Sequence, residues 1–209
     1  MTDPLKTAWN KGQVVGKKPP LTPDQVELIR LHLRQDRNLR DLALFNTALD
    51  TCLRGSDLVR LRVSDVATGA GIRELVEIRQ KKTEKRSPKP VQAQLSPATR
   101  DSLRAWLLAT DKPLHAPLFT GQGARWSHKA LSESQLWRLF KGWLTQAGID
   151  PALYGLHSLR RTFPTYIHQQ TGNLRAAQIL LGHASIENTK GYIGVEQTEA
   201  LDIARKYHL

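Results

Sequence analysis

One interval of this 209-residue chain, residues 72 to 95, has the alternating pattern of β-strands, whereas the segments on both sides carry helix signals. "IRELVEIRQ" alternates apolar and polar residues, "KKTEKR" is typical of a charged turn, and "SPKPVQAQL" predicts a second strand. Pro88 and Pro90 restrict that strand to a sheet edge, because proline has no N–H to donate to a neighbour. The pattern predicts a mostly α fold with a small antiparallel β-sheet (α+β).

Capping residues mark the helix boundaries. Thr22 is followed by Pro23 and by Gln25 three positions on, a capping box with proline at the first helical position. Ser132 and Gln135 form a second such pair, and Gly148 ends the helix that follows. Pro164 falls inside a helical pattern and predicts a kink near Arg160. Ser56 is predicted to cap a short helix. The other predicted helices span residues 40–53, 96–109, 157–170, 173–181 and 185–192. The tail "EQTEALDIARKYHL" predicts a last amphipathic helix.

The charge balance favours a polyanionic partner. Lys and Arg total 31 against 19 Asp and Glu, which gives a formal charge of +12 and a pI near 10.1. Nucleic acid is the leading candidate, although anionic membranes and ribosomal RNA attract the same charge. Composition alone leaves these partners open.

The cysteine count and the absence of long apolar runs indicate in which cellular compartment the protein is expected. Cys52 is the one cysteine, which excludes an internal disulfide framework and a cysteine-based zinc cluster. The N-terminus lacks an apolar signal segment, and no run of apolar residues is long enough for a transmembrane helix. We therefore expect a soluble, cytoplasmic protein with no membrane partner.

Residues 1–20, "MTDPLKTAWNKGQVVGKKPP", have four lysines among glycines and prolines and no helical period. They are predicted to form a basic, flexible N-terminal arm, and residues 21–209 the ordered domain. We expect the arm, including Lys17 and Lys18, to follow a nucleic-acid backbone. The alternative is a dispensable tail.

Four separate segments carry groups suited to a phosphate. Taken alone, each group has an ordinary structural explanation. Arg54 could be a surface charge at a helix end, and Lys82 a solvated turn residue. His157 could be hydrogen-bonded within the protein, and Tyr192 could be a core tyrosine with its hydroxyl at the surface. An i, i+3 pair such as His157 and Arg160 shares one helix face, so both could touch one small anion. The segments are "TCLRGSDL" with Arg54, "RQKKTEKR" with Lys81 and Lys82, "LHSLRR" with His157 and Arg160, and "LLGHASIENTKGYI" with His183 and Tyr192.

Together, in this order, the four segments resemble the signature of the tyrosine recombinases, the phage-integrase family. "TCLRGSDLVRLRVSDV" is similar to the first arginine box, "LHSLRRTF" to the His-x-x-Arg box, and "QKKTEK" to the β-hairpin lysine segment. "LLGHASIENTKGYI" resembles the closing box, in which Leu-Gly-His precedes the nucleophilic tyrosine by nine residues. The resemblance covers residues 21 to 209 and implies the catalytic-domain fold of that family.

The resemblance implies DNA strand cleavage and rejoining without a metal or cofactor. Tyr192 would attack the scissile phosphate and form a 3′-phosphotyrosyl link. Arg54 and Arg160 would hold the non-bridging oxygens in forked hydrogen bonds and stabilise the charge of the transition state. These residue types suit the chemistry, since an arginine fork is always charged.

Proton transfer would fall to the remaining residues. Lys82 is the predicted general acid for the leaving 5′-oxygen, with Lys81 and Lys85 as rivals. His157 would assist proton transfer at the tyrosine or donate to a phosphate oxygen, and His183 would do the latter. The predicted DNA-binding residues are Lys81, Lys85, Arg86, Arg161, Lys17 and Lys18.

The expected partners are double-stranded DNA, a homo-tetramer on two DNA sites, and an accessory DNA-bending protein or partner recombinase. About 20 residues precede the predicted catalytic domain, so we expect a short form without the usual N-terminal core-binding domain. Two other functions stay open: a non-cutting DNA-binding accessory protein of the same fold, and a type IB topoisomerase-like activity.

Overall fold

A computed structural model describes residues 17–81, 90–121, 128–183 and 185–193, with residues 192 and 193 limited to their helical backbone. The predicted mostly helical fold with small antiparallel sheets is confirmed. In the described ranges the helices are α1 (Pro23–Gln35), α2 (Leu39–Thr51), α3 (Gly55–Leu58), α4 (Val63–Val66), α5 (Pro97–Thr110), α6 (Glu133–Gln146), the 3-10 turn Pro151–Leu153, α7 (Leu156–Thr171), α8 (Leu174–Leu181) and α9 (Ile186–Ile193). The strands are β1 (Ala67–Thr68), β2 (Gly71–Ile72), β3 (Leu75–Ile78) and β4 (Val91–Gln94).

The predicted capping boxes are present at the starts of α1 and α6. The Gln25 backbone N–H donates to Thr22 Oγ1, and the Thr22 backbone N–H donates to Gln25 Oε1. Ser132 and Gln135 make the same reciprocal pair of bonds. Each box satisfies two N–H groups that a helix start leaves without intrahelical partners, so these boundaries follow from local chemistry.

The boundary between α2 and α3 differs from the prediction. Helix α2 ends at Thr51, because Cys52 adopts a left-handed conformation with φ of 49°. Arg54, rather than Ser56, occupies the N-cap position of α3, and Ser56 lies inside that helix. The shift matters because it places Arg54 at the entry to a tight turn.

The predicted strand pair is formed by β3 and β4. They pair antiparallel, with Leu75 opposite Gln94 and Ile78 opposite Val91. Val76 and Ile78 are buried, as the alternating pattern predicts. A second hairpin, β1 with β2, was not predicted, because two-residue strands are too short to have an alternating pattern. Residues 82–89, which include most of the predicted turn and the first residues of the predicted second strand, lie outside the described residues, as does the C-terminal tail.

Helix α2 forms the centre of the core. Ala43, Leu44 and Phe45 are fully buried, although they are consecutive and so point in different directions around the helix. Helices α1, α5 and α7 all contact α2, and Phe45 packs edge-to-face on Trp143 of α6. A helix enclosed on several sides can hold the residues at its end in a defined place.

Helix α7 continues through Pro164, whose side chain is buried. None of the helices in the described ranges combines the length and the apolar character needed to cross a bilayer.

Candidate active site

Arg54 lies where α2 turns into α3. Its Nη1 donates a hydrogen bond to Oε1 of Gln80, which is buried just beyond strand β3. Burial raises the pKa of the neighbouring Cys52 thiol to about 12, with the charge of Arg160 acting in the opposite direction. Cys52 is therefore a neutral thiol at pH 7. The hydrogen bond to Gln80 directs the Arg54 guanidinium toward the β3–β4 hairpin.

Asp57 attaches that hairpin to α3. Its Oδ1 accepts the backbone N–H of Lys81 at 3.0 Å, and its side chain is 4% exposed. The backbone of Lys81, directly after Gln80, is therefore fixed to α3. The predicted general acid Lys82, its rival Lys85, and Arg86 lie outside the described residues.

His157 and Arg160 occupy the first turns of α7, as the i, i+3 spacing predicts. Arg160 is 2% exposed, and its Nη2 donates to the carbonyl of Leu181 at 2.7 Å. This bond joins α7 to the last residue of α8, two positions before His183. Arg160 thus holds the turn that carries the second histidine.

Gly182 makes the turn between α8 and His183 sterically possible. Its φ is 62°, and a Cβ at this position would lie 2.5 Å from Cγ2 of Val91 on strand β4. Only glycine adopts this conformation without strain and also leaves room for the strand. The close approach brings the α8–α9 turn against the same hairpin that Arg54 and Asp57 hold.

Two sets of hydrogen bonds fix His183. Its backbone N–H donates to the Gln178 carbonyl at 3.1 Å, and Gln178 Nε2 donates to the His183 carbonyl at 2.9 Å. Its Nδ1 lies 3.1 Å from Oγ1 of Thr189, a fully buried residue of α9. His183 therefore links α8, through its backbone, to the helix that carries Tyr192, through its imidazole.

The pKa values of both histidines are lowered by the same surroundings. Burial is the largest cause and lowers the pKa of His183 to about 4, with further contributions from Arg160 and Arg54. Burial also lowers the pKa of His157, as do Arg160, Arg161 and Arg54. Arg54 and Arg160 lower the pKa of both rings, so the imidazoles are neutral at pH 7. Both arginines are bonded near the α8–α9 turn, because Arg160 holds the Leu181 carbonyl and Arg54 holds Gln80, whose Nε2 would lie 3.3 Å from a Cβ on Gly182.

Tyr192 lies on α9, nine residues after His183. Helix α9 contacts α7 and α8, which carry Arg160 and lead to His183. The backbone thus brings the predicted nucleophile to the same end of the helical bundle as the other predicted groups. Its phenol lies outside the described part of the chain.

Glu133, which the sequence analysis did not single out, lies beside this cluster at the first position of α6. A Cβ on Gly55 would lie 3.2 Å from Glu133 Oε1 and 2.9 Å from Leu156 Cδ1, so α3, α6 and α7 meet at this glycine. The carboxylate of Glu133 raises the pKa of His157, against the larger lowering effects.

Gln80 and Asp57 were also missed as parts of the site. Asp57 lies in the segment that resembles the first arginine box, but no role was predicted for it. Gln80 and Glu133 had no local signal, because their contacts are with residues of distant segments.

Two predicted DNA contacts, Lys18 and Arg161, are already bonded within the protein. Lys18 Nζ donates to the carbonyls of Ala152 and Tyr154, and Arg161 Nη1 donates to the carbonyl of Lys18. Arg161 is 7% exposed, so direct contact with a duplex would require its side chain to leave a buried position. Lys17 is exposed, and its Nζ lies close to α9. Residues 17–20 of the predicted arm therefore adjoin the domain.

Within the described ranges, no group of three or more His, Cys, Asp or Glu side chains is arranged to hold a metal ion. The charges concentrated at the site are those of Arg54, Arg160 and Arg161, which all lower the pKa of His157. Such a cluster is suited to an anionic group.

Known proteins are similar to this chain in sequence and in fold. Residues 20–199 match the phage integrase family. The tyrosine recombinase XerD of Xanthomonas axonopodis pv. citri is 33% identical over 197 residues, which cover 90% of this chain and 62% of the relative. The crystal structure of XerA recombinase superposes with a TM-score of 0.71 at 21% identity, over 93% of this chain and 67% of that one. The Tn1549 transposon integrase in complex with transposon right end DNA gives a TM-score of 0.68 at 18% identity, over 92% of this chain and 67% of that one.

The chain spans about three fifths of the length of the Xanthomonas relative. The two solved structures have the same fold as the helical domain described above. The match across residues 20–199 contains all four segments that the sequence analysis compared with the recombinase signature. The chain belongs to the phage integrase family.

Proposed function

We propose that the chain is a site-specific DNA recombinase that cleaves and rejoins strands through a 3′-phosphotyrosyl intermediate. The observation that carries the proposal is a set of contacts at the turn before His183: Arg160 bonds the Leu181 carbonyl, and Arg54 bonds Gln80 beside Gly182. His183 in turn is hydrogen-bonded to the helix of Tyr192. Two forked cations beside two neutral imidazoles suit a phosphate whose negative charge grows in the transition state. The XerD relative and the DNA complex of the Tn1549 integrase support DNA as the substrate.

In the cleavage step, the phenolic oxygen of Tyr192 bonds to phosphorus as the bond from phosphorus to the 5′-oxygen breaks. The phenolic proton leaves for a neutral acceptor, a role that we assign to His157, and the 5′-oxygen receives a proton from Lys82 or a neighbouring lysine. The phosphodiester bond energy stays in the phosphotyrosine, so rejoining needs no cofactor. Arg54, Arg160 and His183 act on the non-bridging oxygens.

Strand exchange between two duplexes requires one protomer for each of the four strands that are cut. We therefore propose a homo-tetramer on two double-stranded DNA sites, assisted by an accessory DNA-bending protein or a partner recombinase. Lys81, Lys85 and Arg86, in the segment whose sequence predicts a charged turn, are the proposed contacts to the duplex near the scissile phosphate.

The test is formation of a covalent protein–DNA adduct on a nicked duplex, in buffer that contains EDTA. We expect the wild type to form the adduct and Tyr192→Phe to bind the same duplex without forming it, because only the nucleophilic oxygen is removed. Adduct from the variant at the wild-type level, or a strict Mg²⁺ requirement, would contradict the mechanism. Binding without any adduct would favour the accessory protein, and relaxation of supercoils without joining of two duplexes would favour the topoisomerase-like activity.

A further inference from the structure

Residues 17–22, which we call the strap, lie against the start of α7. Lys18 Nζ donates to the carbonyls of Ala152 and Tyr154, each at 2.9 Å. Arg161 Nη1 donates to the Lys18 carbonyl at 2.9 Å, and the Leu21 N–H donates to Thr162 Oγ1 at 3.0 Å. The strap is thus bonded to the protein on both sides of Pro19 and Pro20.

These contacts fix the register of the strap to a single residue. The stem of Lys18 lies over Gly155, where a Cβ would be 3.4 Å from Lys18 Cδ. Leu21 is 4% exposed and joins the hydrophobic core. A shift by one residue would place Pro19 or Lys17 at the two carbonyls and would move Leu21 out of the core.

The fixed register brings Lys17 to α9. Its Nζ lies 3.7 Å from the position that a Cβ of Gly191 would take, and Gly191 directly precedes Tyr192 in the last turn of that helix. Helix α9 has eight residues and a glycine near its end, both of which weaken a helix. A cation at a helix C-terminus stabilises the last turn, where carbonyl groups lack intrahelical partners.

We propose that Lys17 is a positioning residue, which the strap holds against the last turn of α9 so that Tyr192 is correctly placed. The strap then links the chain that precedes the domain to the helix of the nucleophile. The effect of Lys17 on cleavage rests on the proposed function, whereas its effect on α9 does not. This role differs from a direct contact with DNA, the role predicted for Lys17 from sequence.

The first measurement needs no DNA. Hydrogen exchange of residues 186–193 is compared in the wild type, Lys17→Ala, Lys17→Arg and Lys141→Ala, the last of which removes the same charge from α6. We expect exchange in Lys17→Ala to be faster by about two- to fivefold, the effect of one cation in the last turn of a helix. Lys17→Arg and Lys141→Ala should behave as the wild type does.

A second variant tests the strap itself. Lys18→Gln leaves Lys17 in place but weakens the bonds that set its register, so we expect it to reproduce the faster exchange of α9. Wild-type exchange of α9 in Lys17→Ala would overturn the proposal, because the ammonium would then have no effect on the helix. The same result in Lys18→Gln would overturn the role of the strap.

The third measurement separates positioning from binding. At saturating nicked duplex, Lys17→Ala should cleave more slowly with an unchanged Kd and an unchanged salt dependence of binding, and Lys17→Arg should restore the rate. A salt slope reduced by about 0.9 with wild-type exchange of α9 would identify Lys17 as a phosphate contact and overturn the proposal. If the wild type forms no adduct, the proposed function fails, and hydrogen exchange still decides whether Lys17 holds α9.

Discussion

Arg160 is buried and charged, and it affects both the packing of the site and the pKa values of its histidines. One nitrogen of its guanidinium holds the Leu181 carbonyl, and its charge lowers the pKa of both His157 and His183. A buried arginine is stable only when its N–H groups are satisfied, so the bond to Leu181 fixes the guanidinium as well as the turn. The same geometry therefore serves both stability and the proposed chemistry.

Replacing either arginine of the site should slow cleavage strongly. We expect Arg54→Ala and Arg160→Ala each to raise the barrier by about 2–4 kcal/mol, the usual cost of removing one donor to a transition-state oxygen. Single-turnover cleavage of a nicked duplex measures the effect, and Arg104→Ala, at an exposed pair with Asp101, is the control. An unchanged rate in either variant would remove that residue from the site. Arg160→Ala should also be less stable to urea, because the bond between α7 and α8 is removed.

The lowered pKa of His183 predicts a pH dependence of stability. In the unfolded chain a histidine binds a proton below its ordinary pKa of 6.5, whereas in the folded protein His183 does so only near 4. The unfolded state therefore binds more protons between these values, and stability falls as pH drops from about 6.5 to about 4. The difference between the two pKa values corresponds to roughly 3.4 kcal/mol, and solvent screening of the half-buried imidazole makes the decrease smaller than this.

Urea unfolding of wild type and His183→Gln at several pH values isolates this effect from the titration of the carboxylates. The difference in unfolding free energy between the two proteins should change across that window and be constant above pH 7. A constant difference from pH 7 to pH 4 would contradict the assignment.

The α8–α9 turn is the element that most depends on a single residue. Gly182→Ala would force an alanine into a left-handed conformation and push its Cβ into Val91. We expect a decrease of about 2–4 kcal/mol in unfolding free energy from strain and overpacking together. Gly142→Ala in α6 is the matched control, since in the described ranges no atom outside the adjoining stretch of α6 lies within 4 Å of its added Cβ. This variant should be more stable by about 0.5–1 kcal/mol. Equal stability of the two variants would refute this account of the turn.

For the whole molecule, two deletions test the role of the N-terminal residues. Deletion of residues 1–16 removes Lys6 and Lys11 and leaves the strap, whereas deletion of residues 1–20 also removes the bonds of Lys18. If the arm follows the DNA backbone, the first deletion should reduce the slope of log K against log salt by about 0.9 for each phosphate that the arm neutralises. An unchanged slope would support a dispensable tail.

The longer deletion should have a further, separate effect. Without the hydrogen bonds from Lys18 to the Ala152 and Tyr154 carbonyls, thermal stability should be lower, and the shorter deletion should leave it unchanged. Thermal unfolding of both proteins without DNA measures this. Equal melting temperatures would indicate that the strap adds nothing to stability.

Local chemistry in the sequence determined the starts of α1 and α6, the β3–β4 pair and the spacing of the candidate groups. Capping boxes such as Thr22 with Gln25 act over three residues, and an i, i+3 pair such as His157 and Arg160 shares a face in any helix, so both are visible without a fold. The resemblance to the recombinase signature rested on the same short segments.

Only the tertiary structure decided which groups meet and what each contact does. The bonds of Gln80 to Arg54, of Asp57 to the hairpin and of Arg161 to Lys18 each join segments at least 24 residues apart. Burial, the largest cause of the low histidine pKa values, likewise depends on the packed helices. Residue type alone predicted DNA contacts at Lys18 and Arg161. The packed molecule bonds both to backbone carbonyls, because a charged group that folding encloses must find its partners within the protein.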